Sequence, residues 1–388
     1  MIFSEKERHE LDASSYSEPI YTYLNRSART SSEKVRNLLE AWFLYYPQNE
    51  RNELLPRLQS PDDNVFLSGF FELFIYNLLI EFGYKLTLHP QINDEVSTKP
   101  DFLVEKFNED FILEAVNTQE HTKEEKNGQI FINSALDKID EIQSKDYFLH
   151  INVRGVAEKP IKSRNLKNDI QDWLKTLNYD ELFPIYHANG LDGMPHKEFT
   201  FDGVSLKISP IPKNLNHGQS SRLLGSQMYG FRVINAKNAI KKAIKGKSSR
   251  YGIIDKPYIL AINCLSMVCG NDDVMDALFG TEQYVFDMDS SQSVPPRMKR
   301  ANDGMWSRKK GSRLSGILLF KSLTPWTIAH QNVTLYLNPW AEFPYKGDLL
   351  RLKNFQMDSS SNYFYLNGIE LAEIFILGNS WPEDDNSQ

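Results

Sequence analysis

The feature that most constrains the fold is a long apolar run, VFLSGFFELFIYNLLIEFGY, from Val65 to Tyr84. A run of this length matches the roughly 20 residues that a helix needs to cross a bilayer. Glu72 and Asn77 interrupt it, and a carboxylate or an amide is costly to bury without a partner. The sequence therefore predicts a helix buried in the core of a soluble protein, with no membrane association.

Composition and charge narrow the class of protein. With 388 residues, of which 41% are hydrophobic, the chain can form two domains or one domain with large additions. Its first residues, MIFSEKERHELDASS, lack the basic and apolar segments of a signal peptide, so a cytoplasmic location is expected. Cys264 and Cys269 are too few for a disulfide framework or a four-cysteine zinc site. A net charge of −7 argues against a protein that coats nucleic acid with its whole surface, but it allows local basic patches.

Helix and strand patterns alternate along the chain. TSSEKVRNLLEAWFLYYP carries a capping-box pattern, Thr30 and Glu33, and the cap residues SPDDN precede the apolar helix. Short apolar runs then predict three strands, at residues 84–92, 101–107 and 110–117, and the last two form a hairpin. QIFINSALDKIDEI predicts a helix, and DYFLHINVRG predicts a strand.

This order of helix, three strands, helix and strand predicts an α/β fold. Because the last strand follows a helical crossover, we expect it to join the sheet beside the earlier strands, which gives a mixed sheet flanked by helices. We predict an N-terminal helical arm at residues 1–60, a core at residues 61–190, and a large α+β C-terminal region at residues 191–388. In that last region, PYILAINCL, SGILLFKSL and NVTLYLNPW predict buried strands.

Two acidic residues lie at the ends of neighbouring predicted strands. Side chains alternate along FILEAVN, so Glu114 and Val116 face one way while Phe111 and Ala115 face the other. Asp101 begins its strand where Glu114 ends its own, so an antiparallel hairpin would bring the two carboxylates close together. Such a pair repels unless a cation lies between them, and its oxygen atoms suit Mg²⁺ or Mn²⁺ better than zinc. Taken singly, each acid also fits an ordinary turn or a solvated strand end.

Glu72 is a third acidic candidate. It is the only charged residue between Asp63 and Glu81. A carboxylate in so apolar a helix is costly unless it is paired or bound to a metal ion. A paired core carboxylate is the alternative interpretation.

Residues 64–155 resemble the PD-(D/E)XK nuclease superfamily, which includes restriction enzymes and repair or recombination nucleases. The resemblance rests on Glu72 in a helix, Pro100-Asp101 at a strand, Glu114 on the next strand, and the helix and strand that follow. It implies a restriction-endonuclease-like core in which Asp101, Glu114 and Glu72 bind Mg²⁺ or Mn²⁺ as the cofactor. The metal would lower the pKa of a bound water and stabilise the charge that develops on the phosphate.

The lysine of this family would align with Val116, and it is absent there. The substitutes that the sequence offers are Lys138, Lys99, Asn117 and Gln119. Lys138 ranks first as the catalytic lysine, because it lies on the following predicted helix at the edge of the apolar stripe.

Two basic segments predict a surface for a polyanion. In KNAIKKAIKGKSSR, Lys237, Lys241 and Lys245 share one stripe of a helix, while Ile240 and Ile244 face the core. The second segment, PPRMKRANDGMWSRKKGSR, is typical of a mobile loop in which Trp306 could stack on a base. Its basic residues are Arg297, Lys299, Arg300, Arg308, Lys309, Lys310 and Arg313. A solvated charged face is the alternative for each run taken alone.

These features together predict a metal-dependent nuclease that hydrolyses DNA phosphodiester bonds, with a role in restriction or antiviral defence and with RNA open as a substrate. Dinucleotide, NTP, zincin and α/β-hydrolase functions find no motif here. The alternative is a catalytically inactive nuclease-fold protein that binds nucleic acid or serves as an assembly subunit, as a homo-oligomer or with a partner. A third interpretation is an interaction subunit that binds neither DNA nor metal.

Overall fold

The chain leaves one folded unit near residue 120 and returns to it near residue 234. The computed structural model describes residues 1–92, 97–118, 122–214, 223–229, 236–248, 250–265, 269–285, 297–308, 310–358, 362–378 and 380–383. Unit 1 consists of Met1–Asp12, Pro19–Glu120 and Ile234–Gln388. Unit 2 consists of Ala13–Glu18 and His121–Val233.

Within the described residues, helices and strands follow one another in a mixed order. The helices are α1 (Ile20–Arg26), α2 (Thr30–Tyr45), α3 (Arg51–Leu58), α4 (Asp63–Glu81), α5 (Lys123–Asp140), α6 (Ser163–Lys175), α7 (Tyr179–Asn189), α8 (Ala236–Lys247), α9 (Asn271–Phe279) and α10 (Leu371–Ile374). The first strands are β1 (Lys85–Leu88), β2 (Phe102–Lys106), β3 (Glu109–Thr118), β4 (Tyr147–Gly155), β5 (Lys197–Phe201), β6 (Val204–Pro212) and β7 (Leu224–Tyr229). The later strands are β8 (Tyr258–Cys264), β9 (Glu282–Val285), β10 (Arg297–Arg300), β11 (Gly316–Lys321), β12 (Thr334–Leu337), β13 (Asn354–Met357) and β14 (Tyr363–Leu366).

The large sheet of unit 1 is mixed, with the strand order β1-β2-β3-β8-β11-β12-β13-β14. β1, β2 and β3 are antiparallel neighbours, as the hairpin pattern predicts. β3 runs parallel to β8, and β8 runs parallel to β11. Every residue of β8 is buried, which is typical of a central strand in a sheet covered on both faces. The prediction of an α/β fold with a mixed sheet flanked by helices is confirmed.

α4 covers one face of this sheet. Its buried side chains pack with Phe102, Phe111 and Phe320 on three of the strands. Among the described residues it is the one helix that is long and apolar enough to cross a membrane, and most of that stretch is buried inside the protein. The prediction of a buried core helix is therefore confirmed.

α8 and α9 cover the opposite face of the sheet. Ile240 and Ile244 of α8 pack with Leu260 and Ile262 of β8, as the apolar stripe of the basic segment predicts. α8 also lies against β3. The sheet is thus the middle of three layers, and the side chains of β3 alternate between the α4 side and the α8 side.

The N-terminal helices pack onto α4 and do not form a separate arm. Trp42 of α2 meets Phe74 of α4 edge-on, with ring centroids 5.9 Å apart. The capping box predicted at Thr30 is wrong, because Arg29 is the N-cap of α2 and Thr30 is already helical. The cap predicted for α4 is confirmed, since the side chain of Asp62 accepts a hydrogen bond from the backbone of Asn64.

The segment after β3 departs from the predicted sheet. α5 has the expected apolar stripe, but β4 pairs with β6 and β7 in the sheet of unit 2, which has the order β5-β6-β4-β7. β4 alternates buried and half-exposed side chains, so it suits a sheet with one covered face. The position beside β3 is taken by β8, whose side chains are buried on both faces.

The two units therefore replace the three predicted segments. Residues 13–18 and 121–233 form unit 2, so that the predicted arm (1–60), core (61–190) and C-terminal region (191–388) are all divided. The physical reason is that the chain after residue 234 contributes β8 and β11 to β14 to the sheet that β1, β2 and β3 begin, and α8 packs on a face of that sheet. That pairing, rather than proximity in sequence, decides which residues belong together.

We expect Phe320→Ala to lower the free energy of unfolding by about 3–5 kcal/mol, the usual cost of truncating a buried Phe. Phe320 is fully buried, and its ring centroid lies 5.4 Å from those of Phe71 and Phe74. Phe107→Ala is the matched control, because Phe107 is fully exposed, and it should change stability by less than about 0.5 kcal/mol. Urea unfolding monitored by tryptophan fluorescence measures both variants. Equal losses of unfolding free energy in Phe320→Ala and Phe107→Ala would contradict this description of the core.

Candidate functional site

The two predicted carboxylates meet at the end of the β2–β3 hairpin. Phe102 pairs with Leu113, so Asp101 and Glu114 are the next residues along the two strands. The backbone N–H of Asp101 donates to Glu114 Oε2 at 3.2 Å. The backbone N–H of Ala115 donates to Asp101 Oδ2 at 2.7 Å. The structure thus brings Asp101 and Glu114 together, as the hairpin pattern predicts.

Lys247, at the C-terminal end of α8, supplies an ammonium group to this pair. Its Nζ forms an ion pair with Glu114 Oε1, and the hydroxyl of Tyr251 donates to Glu114 Oε2 at 2.5 Å. The side chain of Glu114 is only 2% exposed, so these contacts supply the partners that a buried carboxylate requires. The arrangement follows from the fold, because α8 precedes the parallel strand β8 and lies across β3.

The electrostatics of Asp101 favour a bound cation. Burial, and then the charges of Glu114 and Glu72, raise the pKa of Asp101 to about 8. The backbone N–H of Ala115 and the ammonium of Lys247 oppose this rise in pKa. A carboxyl group that resists ionisation beside a second carboxylate is stabilised as an anion when a divalent cation binds between them.

Glu72 lies close enough to act on Asp101 through its charge, but its own oxygens have other partners. Tyr46 donates to Glu72 Oε1 at 2.7 Å, and Arg57 Nη1 donates to Oε2 at 2.5 Å. The ligand atoms of Glu72, Asp101 and Glu114 do not all lie within 4.8 Å of one another. The structure therefore brings Asp101 and Glu114 together at the end of one hairpin, whereas Glu72 is bound by Tyr46, which follows α2, and by Arg57 of α3.

The residues present fit Mg²⁺ or Mn²⁺. Three carboxylates, Asp101, Glu114 and Glu72, face two cations, Lys247 and Arg57, which leaves one net negative charge if all five groups are ionised. Mg²⁺ is commonly bound by one or two carboxylates together with water and the phosphates of the substrate. An all-oxygen donor set of this kind does not resemble a zinc site.

The substitutes predicted for the missing lysine are placed elsewhere. Lys138 lies in unit 2, where its Nζ pairs with Glu141 Oε1 at 2.5 Å, so it does not join the ion pairs that Glu114 makes in unit 1. Lys99 lines a different cavity, beside His89. Asn117 follows Val116 on β3 but contacts neither carboxylate within the described residues. Gln119 lies outside the described residues.

Lys247 is the residue that the sequence prediction missed, although a signal for it exists. Ile240, Ile244 and Lys247 are spaced by four and then three positions, so Lys247 continues the apolar stripe that faces the sheet. A lysine on the buried stripe of a helix needs an acidic partner. The basic character of the segment by itself predicts only polyanion binding, and it does not distinguish Lys247 from the other lysines of the helix.

The stripe predicted to bind a polyanion on α8 is partly neutralised. Lys237 and Lys241 both pair with Asp303 Oδ2, at 2.9 Å and 3.3 Å. These contacts hold the pKa of Asp303 well below its usual range, with the Lys237 hydrogen bond as the largest cause. Lys245 is exposed. Of the three predicted residues, Lys245 is therefore the one that the structure leaves facing solvent.

The second basic segment is not simply a mobile loop. Residues 297–300 form β10, which pairs with β9 in an exposed hairpin, and Arg297 and Lys299 face solvent there. Trp306 is 2% exposed and packs against Phe279, with ring centroids 5.6 Å apart, so the prediction that it stacks on a base is wrong. A buried indole of this size contributes a large apolar area to the core.

The other predicted basic residues divide between structural contacts and solvent. Arg300 Nη1 bonds to Asp276 Oδ1 at 3.2 Å and to the carbonyl of Gly280 at 2.8 Å, so it has a structural role. Arg313 is half-buried and donates to the carbonyl of Ser248, and exposed Lys310 donates to that of Gly304. Arg308 is exposed, and Lys309 lies outside the described residues.

A second group of possible metal ligands lies beside the hairpin. Single donor atoms of Glu50, Glu53 and His89 all fall within 4.8 Å of one another. The backbone N–H of His89 donates to the carbonyl of Asp101 at 3.0 Å, so this group adjoins the Asp101 strand. Glu53 is exposed, and exposed acidic groups of this kind are common without an ion.

Comparisons of the chain with models of protein families, with curated proteins and with solved structures find no match. The site must therefore be interpreted from its own geometry.

We expect Asp101→Asn to raise the thermal midpoint in EDTA and to abolish the stabilisation by Mg²⁺ or Mn²⁺. Burial and the neighbouring charges raise the pKa of Asp101 in the folded state, so ionising it costs stability increasingly as the pH rises from about 4, its unfolded value, towards 8. The gain in the variant should therefore grow across that range. For the wild type, a metal concentration one hundred times Kd should add about 2.7 kcal/mol.

Differential scanning fluorimetry with and without metal measures these effects. Asp110→Asn is the matched control on the same hairpin, since Asp110 is exposed and pairs with Lys256. Its metal-dependent shift should equal that of the wild type. An unchanged metal-dependent shift in Asp101→Asn would rule out Asp101 as a ligand.

Proposed function

We propose that this protein is a metal-dependent nuclease that hydrolyses DNA phosphodiester bonds. The observation that carries this proposal is the group of Asp101, Glu114 and Lys247 on two adjacent strands and the helix that crosses them. Two carboxylates with an ammonium group beside them are what metal-assisted phosphoryl transfer needs: ligands for the cation and a positive group for the phosphate.

The order of elements around the site supports the same proposal. α4, β1, β2, β3, α8 and β8 give helix, three strands, helix and strand, with β3 parallel to β8. This order is similar to the restriction-endonuclease-like core of the PD-(D/E)XK superfamily. Unit 2 would then be an insertion between the third strand and the second helix.

In this proposal Lys247 replaces the lysine that is missing at Val116. Its ammonium has three N–H donors, and the ion pair with Glu114 engages one carboxylate oxygen. The remaining donors are available for a non-bridging oxygen of the phosphate or for the attacking water. A lysine recruited from α8 therefore removes the main objection that Val116 raises against catalysis.

The chain's own residues would prepare the site for hydrolysis. Asp101 and Glu114 would hold the cation, which lowers the pKa of a bound water and offsets charge on the phosphate. Burial and the charge of Glu114 raise the pKa of Tyr251, so its hydroxyl remains a donor and keeps Glu114 in place. In hydrolysis, the water would lose a proton to solvent and its oxygen would bond to phosphorus, while the bond from phosphorus to the leaving deoxyribose oxygen would break and that oxygen would take up a proton from solvent.

The exposed cations would hold the DNA backbone. Lys245, Arg297, Lys299 and Arg308 face solvent, whereas Lys237, Lys241 and Arg300 are engaged by acids. Contacts of this kind add affinity without sequence preference. Restriction or antiviral defence in the cytoplasm is the role that we propose for such an activity.

We expect the purified protein to cleave DNA in Mg²⁺ or Mn²⁺ and not in EDTA, and Lys247→Met to reduce cleavage by about 10²–10³-fold, as for loss of one group that stabilises the transition state. Glu114→Gln should reduce cleavage at least as strongly. The matched control is Lys138→Met, which should cleave at the wild-type rate because its ammonium pairs with Glu141 in unit 2. Single-stranded DNA, double-stranded DNA and RNA of equal length identify the substrate class.

A stability measurement separates catalysis from folding. Lys247→Met alone leaves Glu114 buried without its ammonium partner, which costs about 3–5 kcal/mol for a broken buried pair. The double variant Lys247→Met with Glu114→Gln should recover part of that loss and remain inactive. If Lys138→Met loses activity while Lys247→Met keeps it, our lysine assignment is wrong. If the wild type binds DNA but never cleaves it, the inactive nucleic-acid-binding alternative holds.

We expect Arg297→Ala with Lys299→Ala to weaken DNA binding and to lower the slope of log K against log salt by about 0.9 for each phosphate that the protein no longer neutralises. Both residues are exposed on the β9–β10 hairpin. Lys175→Ala is the control, because Lys175 lies in unit 2 and pairs with Asp172. Fluorescence anisotropy in EDTA measures binding without cleavage. A slope unchanged by the double variant would exclude this hairpin from the DNA surface.

A further inference from the structure

A cavity of about 290 Å³ lies between the C-terminal end of β3 and the C-terminal end of α8. Asn117 and Thr118 line it from the strand, and Lys242, Gly246, Lys247 and Arg250 line it from the helix and the residues that follow. Because a water molecule occupies about 30 Å³ in the liquid, the cavity has room for a small anion and several waters. Through Lys247 it adjoins the Asp101–Glu114 site.

Polar groups line this cavity without partners. Neither amide atom of Asn117 is exposed, and neither has a hydrogen-bond partner within the described part of the chain. The hydroxyl of Thr118 is also buried and has no hydrogen-bond partner among the described residues, and Thr118 as a whole is only 4% exposed. A buried polar group left unpaired costs free energy, so such groups are normally paired with protein, water or a ligand. Three unpaired atoms beside one cavity therefore indicate a bound species that donates or accepts hydrogen bonds.

The charges of the lining residues indicate which kind of ligand the cavity binds. Lys242 and Arg250 form no ion pair with any described residue, and both are exposed. Lys247 is the third cation that lines the cavity, and its ammonium also forms the ion pair with Glu114. None of the described lining residues is acidic. Cations together with an amide and a hydroxyl are the donors that bind a phosphate group.

We propose that this cavity binds one phosphate group of the nucleic acid, next to the phosphate that is cleaved. Affinity of the cavity for phosphate follows from its own lining, and its use by a nucleic-acid substrate rests on the proposed function. Thr118 and Asn117 would donate to the phosphate oxygens, while Lys242 and Arg250 would neutralise its charge. Lys247 would bridge the two phosphates, since it touches both this cavity and Glu114.

Gly246 allows a test that leaves every proposed ligand in place. A Cβ atom added at Gly246 meets no atom within 4 Å. Gly246→Glu would place a carboxylate at the cavity, four positions along α8 from Lys242, and Arg250 lines the same cavity, so the variant should compete with an anion. Gly246→Gln has nearly the same size without the charge, and Gly246→Ala adds only a methyl group. All three replace a helical glycine by better helix formers, so folding should be retained.

The first arm measures binding of inorganic phosphate by isothermal titration calorimetry in EDTA, so that no metal ion contributes. The wild type and Gly246→Ala should bind phosphate. Thr118→Val, which keeps the shape and removes the hydroxyl, should lose about 10-fold to 100-fold in affinity. Gly246→Glu should lose more than Gly246→Gln. No binding by the wild type, or equal binding by Gly246→Glu and the wild type, would overturn the phosphate pocket.

The second arm measures cleavage of a DNA duplex by the same variants. Gly246→Glu and Thr118→Val should raise KM about tenfold or more with little change in kcat, because the pocket binds substrate and transition state alike. If phosphate binding is lost while KM is unchanged, the pocket exists but does not serve the substrate, and that part of our proposal fails. If the wild type binds phosphate but cleaves no nucleic acid, the proposed nuclease function fails while the pocket stands.

Discussion

The parallel pairing of β3 with β8 is the contact on which the rest of unit 1 depends. It joins Ile112–Thr118 to Tyr258–Cys264, although residues 121–233 of unit 2 lie between these two strands in the sequence. A parallel partner requires a crossover on one face of the sheet, and α8 is that crossover. Because α8 ends above the C-terminal half of β3, Lys247 comes to lie at Glu114, and the cavity forms beside it.

Buried charge is the second constraint, and it explains which residues the site needs. Glu114 and Glu72 are both buried, and each has one cation and one tyrosine hydroxyl as partners. Desolvating so many charges is expensive, and buried ion pairs rarely stabilise a fold as much as apolar residues of the same volume would. Two such networks around Asp101 support our proposal that the site binds charged species.

Much of the fold could be predicted because its signals are local. The apolar run of α4, the alternation of β3 and the stripe of α8 all depend on the periods of 3.6 and 2 residues that set which side chains share a face. The pairing of Asp101 with Glu114 was predictable for the same reason, since a hairpin has only one sensible register. The place of β4 was not, because a helix followed by a strand fits either of two sheets until the competing strand β8 is considered.

The sequence alone determined that Asp101 and Glu114 are neighbours and that α4 is a buried helix, because both follow from patterns within a single stretch of chain. Only the tertiary structure decided which cation serves them. Lys138 is near Glu114 in sequence but belongs to unit 2, whereas Lys247 is distant in sequence and forms the ion pair. The physical reason is that side-chain direction is set by local backbone geometry, while the choice of a partner is set by strand pairing, which sequence distance does not encode.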